Sequence, residues 1–186
     1  MHWHHTASEN VRGLARSFTD SRISLTLADM RLPDAPLIGV NDAFVAMTGY
    51  DPQHSLGRNC RFLQPAGGAG PVRSRMREFL QDSDTEQDKF VVPNVTFDGK
   101  EFLNLVYMTK LRRGDELTYV LGSQFNITTG SAAAIELYDT ALREDVKSLG
   151  KLAGEHGLVM LGSYESLASS QGIIAKARME GSNSAK

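Results

Sequence analysis

Residues 89–127 read KFVVPNVTFDGKEFLNLVYMTKLRRGDELTYVLGSQFNI, and this stretch decides the fold. It divides into three strands, 89–97, 101–111 and 116–127, at the turn signals Asp98-Gly99 and Arg112–Asp115. Side chains alternate between the two faces of a strand. One face therefore carries Phe90, Val92, Asn94, Phe102, Asn104, Val106, Met108, Val120, Gly122 and Gln124. The other carries Val91, Val95, Leu103, Leu105, Tyr107, Leu121, Phe125 and Ile127. Both faces are largely apolar, so neither belongs in water. One must wrap a core or a ligand, and the other must be covered by helices or a second subunit.

The first face presents three carboxamides, Asn94, Asn104 and Gln124, on three successive strands. A buried amide left without partners costs roughly 1–3 kcal/mol. Two readings satisfy them: a hydrogen-bond network between strands, or a flat heterocycle whose edge alternates donors and acceptors. An amide carries both kinds of group in one plane and suits either.

Upstream, Ile23–Leu27 and Leu37–Val40 read as strands separated by the Leu32-Pro33-Asp34 turn. Asn41 or Asp42 caps a short helix that ends at Gly49-Tyr50-Asp51-Pro52. An irregular section runs from Gly57 to Gln64. A helix over about 70–81 follows, with Val72, Met76, Phe79 and Leu80 in one stripe. Residues 1–20 include an amphipathic helix over 8–20, and 130–180 read as a helical extension with stripes broken at Gly154–Gly157. Residues 181–186 are expected to be disordered.

The chain has 186 residues, 41% hydrophobic and 23% charged, the balance of an ordinary globular protein. A net charge of -2 argues against a surface that coats nucleic acid, and no direct nucleic-acid contact is expected. No apolar run approaches the roughly 18 residues of a membrane span, and the N-terminus lacks a secretion-signal layout, so a cytoplasmic location is expected. His2, His4 and His5 are expected to be terminal disorder rather than a metal site. One cysteine, Cys60, excludes an internal disulfide framework. It is either a small buried filler or a residue whose thiol chemistry matters.

The segment Gly57-Arg58-Asn59-Cys60-Arg61-Phe62-Leu63-Gln64 separates these alternatives. It resembles the GxNCRFLQ signature of the LOV (light-oxygen-voltage) family, flavin-binding members of the PAS fold, with every fixed position present. The resemblance runs over about residues 21–128, through the Asp29–Asp34 turn, Asn41–Phe44, Thr48-Gly49-Tyr50, the Asn94 and Asn104 strands and Leu121–Gln124. It implies an α+β PAS/LOV core at 21–129, with a five-stranded antiparallel sheet flanked by helices. It also implies a blue-light photoreceptor rather than an enzyme, with FMN bound and no recognisable effector domain. Cys60 matches the reactive cysteine, which adds reversibly to the photoexcited flavin. A cysteine buried in apolar surroundings would keep a high pKa and stay inert in the dark. Asn59, Gln64, Asn94 and Asn104 match residues that bond the ring edge and ribityl chain, and Gln124 matches the switching glutamine. Arg61 and Arg77 match phosphate ligands, with Arg73 as an alternative; both matches favour FMN over riboflavin.

Three positions depart from the family pattern. The connector after Arg77 is longer than usual, Val106 stands where a phenylalanine is common, and Thr26 replaces an apolar branched residue near the cysteine. The reading is a short light sensor that signals through its flanking helices, as a homodimer or to a downstream protein. Its rivals are a PAS interaction module without chromophore and a dark flavin redox protein using Cys60. The second lacks both a nicotinamide fingerprint and a resolving cysteine.

Overall fold

A computed structural model describes residues 1–7, 11, 21–128, 168–173 and 175–176. The expected helix over 8–20 apart from the helical Val11, the expected extension over 130–180 apart from helical 168–173 and 175–176, and the tail 181–186 lie outside the described residues.

Six strands form one sheet: β1 (His2–Trp3), β2 (Ser24–Asp29), β3 (Leu37–Val40), β4 (Gln87–Val95), β5 (Glu101–Arg113) and β6 (Glu116–Asn126). Their order is β1-β3-β2-β6-β5-β4, and every neighbouring pair is antiparallel. The three strands read from alternation are present, with register Val92↔Asn104 and Val106↔Gln124. The sixth strand corrects the expected five. His2 and Trp3 pair with Val40 and Gly39, so the histidine-rich N-terminus is an ordered edge strand. Trp3 packs on the core beneath it, and the His2 ring lies 2.6 Å from the Asp42 carboxylate. Apolar anchoring and a free strand edge on β3 outweigh the chain entropy of so short a terminus.

Four helical pieces lie between β3 and β4: α1 (Asp42–Thr48), α2 (Pro52–Ser55), a 3-10 turn (Cys60–Leu63) and α3 (Val72–Gln81). Fully buried Asn41 caps α1 by accepting from Phe44 N at 3.0 Å and Leu25 N at 2.9 Å. Its amide also donates to Ile23 O at 2.8 Å, which ties β2 to the start of α1. α2 is absent from the sequence reading, which took Asp51-Pro52 only as a break. The same pair starts a helix, with Asp51 accepting from His54 N at 2.8 Å and Pro52 in the first turn. α3 turns Val72 and Phe79 onto the sheet. Buried Lys110 fastens its far end, donating to the Asp82 carbonyl with its ammonium 4.3 Å from the Phe79 ring centre.

The sheet has two apolar faces, as its alternation demands. Val91, Leu105 and Tyr107 pack beneath Ala168, while Leu25, Leu27, Leu111 and Leu121 pack with Ala7, Val11 and Ala175. Segments from both ends of this chain thus cover the outer face. The inner face is closed partly by α3 and partly by a cavity.

Candidate functional site

One wall of the cavity is the loop after α2. Gly57 has φ 78, a left-handed conformation, and a Cβ there would sit 2.9 Å from His4 Nε2. Hydrogen bonds from Gly57 N to Leu37 O (2.9 Å) and from Leu37 N to Arg58 O (2.8 Å) hold this turn against β3. Asn59 then caps the 3-10 turn, accepting from Arg61 N at 3.0 Å and donating to Asp34 O at 2.6 Å. Arg61 pairs with the Asp34 carboxylate. Asp34 and Ala35 both have positive φ, 66 and 44, so Asn59 and Arg61 brace a strained turn.

The cavity has a volume of about 240 Å³. Asn59, Cys60, Arg61 and Gln64 line it from the loop, Arg73, Met76, Arg77 and Leu80 from α3. The sheet contributes Thr26, Val92, Asn94, Asn104, Val106, Met108, Gly122 and Gln124. Residues up to 98 positions apart in the chain (Thr26 to Gln124) are thereby brought to one place.

Across its floor runs a chain of amides. Gln124 Nε2 donates to Thr26 Oγ1 at 3.0 Å, and Gln124 Oε1 accepts from Asn104 Nδ2 at 2.7 Å. The same Asn104 nitrogen reaches Asn94 Oδ1 at 2.8 Å, and Asn94 Nδ2 donates to Pro93 O at 2.7 Å. Asn104 Oδ1 is buried and has no partner. A strand network therefore exists, yet it leaves one acceptor over, on a residue of the cavity wall. Such an atom costs about 1–3 kcal/mol until a donor arrives. A planar heterocycle with an N–H at its edge would supply that donor.

Cys60 is exposed and belongs to the cavity wall. Its thiol is nonetheless crowded by protein atoms. That desolvation pushes its thiol pKa up, and the opposing pull of the Arg61 cation is weaker. The sulfur is protonated at neutral pH.

Comparison with known proteins agrees with this geometry. The PAS domain family matches residues 28–129. A solved LOV domain from an Erythrobacter litoralis blue-light-activated histidine kinase is 37% identical, with TM-score 0.52, over 57% of this chain and 97% of that one. The chain belongs to the LOV branch of the PAS family. The crystal structure of a Rhodobacter sphaeroides LOV protein is 26% identical, with TM-score 0.62, over 94% of this chain and 99% of that one. Phototropin-1A of Oryza sativa subsp. japonica is 34% identical over 150 residues, 78% of this chain. The chain spans only 15% of that relative's length.

In this LOV domain the residues singled out from sequence, Cys60, Asn59, Arg61, Gln64, Arg77, Asn94, Asn104 and Gln124, all border the one cavity. The expectation of a buried Cys60 is corrected: the residue is exposed, at the wall of the cavity. Arg61 is held by Asp34 rather than projecting alone. Arg73 lines the LOV cavity as Arg77 does, one helical turn away. Sequence reasoning missed Asp34, whose signal was its place in the Leu32-Pro33-Asp34 turn. Thr26, read from sequence as a departure from the family pattern, holds Gln124.

Proposed function

We propose that the protein senses blue light through FMN held in this cavity, with Cys60 as the residue that bonds the excited ring. The observation that carries the reading is the meeting of Cys60 and the amides of Asn94, Asn104 and Gln124 at one cavity. Asn104 Oδ1 and the neighbouring amides would take the polar edge of the ring, Asn59 and Gln64 its ribityl chain, and Arg61 and Arg77 the phosphate. Guanidinium suits that last contact, since its fork matches phosphate oxygens.

The flavin supplies an excited state in which thiol addition across a ring C=N bond becomes feasible. Cys60 would present that thiol to the ring with its proton still attached, and would be restored as the free thiol when the addition reverses. A raised thiol pKa keeps Cys60 out of dark nucleophilic chemistry, so reactivity waits for the photon. Gln124 would present its amide to the bound ring, and by turning it could exchange donor for acceptor.

The altered bonding then passes through β6 and β5 to the segments on the outer face. Ile173, exposed beside buried Ala168 and Ala175, is apolar surface that a second copy or a downstream protein would cover. Scattering that shows one unchanged monomer in dark and light removes the homodimer.

The test of the photochemistry is the visible spectrum of purified protein before and after blue light, for wild type and Cys60→Ala. Wild type should be yellow, bleach and recover in the dark, and the variant should stay yellow. A variant that bleaches through the same spectrum, or a wild type that takes up no flavin, overturns the reading.

A further inference from the structure

The geometry points to Thr26 as the positioning residue that seats the Gln124 carboxamide and lets it take either of two orientations. This deepens the reading of the cavity given above and rests on it. Three observations carry it.

First, Thr26 and Gln124 are both buried, and Gln124 Nε2 donates to Thr26 Oγ1 at 3.0 Å. On its other side, Gln124 Oε1 accepts from Asn104 Nδ2 at 2.7 Å. The amide is therefore gripped at both ends with nitrogen toward β2 and oxygen toward β5. Second, space for the hydroxyl is built in. Thr26 pairs with Gly122 across β2 and β6, and a Cβ on Gly122 would lie 2.7 Å from Thr26 Oγ1. Any side chain there would push the hydroxyl off the amide. Third, Ser24 stands opposite Gln124 in strand register, and its buried hydroxyl has no partner.

The two grips differ in chemistry. Asn104 Nδ2 can only donate, so it fixes one orientation of Gln124. A threonine hydroxyl both accepts and donates. It accepts from Nε2 as found, and by rotating its O–H it donates to Oε1 once the amide has turned. The turned Nε2 would then meet the Asn104 donor, while the turned Oε1 faces β2, where the Thr26 hydroxyl and the unpartnered Ser24 hydroxyl can donate to it. Valine has the shape of threonine and neither capability. With Thr26 replaced by valine, the amide loses its β2 partner in both orientations and must turn without the hydroxyl that carries it across.

The test compares Thr26→Val with Thr26→Ser, which keeps the hydroxyl. In flavin-free protein, the side-chain NH2 resonances of Gln124 in a 15N-correlated NMR spectrum should shift in Thr26→Val and stay near wild type in Thr26→Ser. In flavin-loaded protein, dark recovery after a blue flash should slow about tenfold in Thr26→Val, the rate equivalent of one neutral hydrogen bond, and be little changed in Thr26→Ser. Should Thr26→Val not fold, Gly122→Ala displaces the same hydroxyl and is expected to reproduce its resonance shift. Wild-type resonances in Thr26→Val, or a Thr26→Ser that behaves as Thr26→Val, overturn the inference. A wild type that binds flavin but never bleaches overturns the photochemical reading instead, while the resonances of the flavin-free protein still decide whether Thr26 seats Gln124.

Discussion

Cys60 combines two properties that usually exclude each other: an accessible sulfur and a thiol pKa pushed upward by burial. Reactive cysteines ordinarily pair access with a lowered pKa, because the thiolate is the nucleophile. Here the exposed residue lines the cavity, so a ligand bound there would compete with solvent for it. Alkylation of flavin-free protein by iodoacetamide in the dark should be slow at neutral pH and still rising above the range of an ordinary thiol. Arg61 is the group that pulls the thiol pKa down. Arg61→Gln should therefore slow alkylation a few-fold at mildly alkaline pH, as read by mass spectrometry. An unchanged or faster rate would mean that the cation does not act on this sulfur. Loading with flavin should protect Cys60 in both proteins, since the ligand and the reagent compete for one space.

Asn41 shows what a single side chain does for the elements around the site. Its oxygen accepts from the N–H groups of Leu25 and Phe44, and its nitrogen donates to Ile23 O. Asn41→Ala should lower the urea-unfolding free energy by about 2–3 kcal/mol, a lost helix cap plus buried groups left unpaired. A loss under about 0.5 kcal/mol would show that water replaces the amide at no cost. On the opposite side of the cavity, α3 carries Arg73 and Arg77 one turn apart. Arg77→Ala should weaken FMN binding by about tenfold or more while leaving riboflavin nearly unaffected, since a charge-assisted bond to phosphate is worth roughly 1.5–3 kcal/mol. Equal losses for both flavins, measured by fluorescence titration, would move the phosphate contact to Arg73 or Arg61. These elements differed in how far the sequence disclosed them. β4, β5 and β6 were legible because both of their faces are apolar, and a period of two persists over nine or more residues in each. The cap at Asn41 was legible because capping is local. β1 was not, since two residues carry no period and the pairing depends on an edge 36 positions away in the chain (Trp3 to Gly39). The Gln124–Thr26 bond was hidden for the same reason. Its partners are 98 residues apart and meet only once β2 and β6 are in register.

The whole molecule is closed by contacts between the sheet and the C-terminal segment around residues 168–176, and one carboxylate holds two cations there. Glu86, just before β4, accepts from Arg112 Nε at 3.0 Å and from Lys176 Nζ at 3.1 Å. Burial alone would raise the Glu86 pKa, but the hydrogen bonds from Lys176 and Arg112 outweigh it, and the net shift is downward. A carboxylate whose pKa is lower folded than unfolded stabilises the fold above the unfolded pKa, and the contribution disappears as pH falls through the folded value. The Glu86 side chain is 39% exposed, so solvent screening keeps its worth to about 0.5–1 kcal/mol. Glu86→Gln should therefore lower stability by that amount near pH 7, and the gap from wild type should close as pH drops below the ordinary carboxylate range. Added salt should narrow the gap at neutral pH, because an exposed ion pair is screened over about 10 Å at 0.1 M. Amide exchange should locate the effect. Protection should fall over 168–176, where Ala168 and Ala175 are the buried apolar contacts among the described residues, and stay unchanged in β5. If exchange rises equally across β5 and 168–176, Glu86 supports the sheet as a whole and is not the clasp of its C-terminal cover.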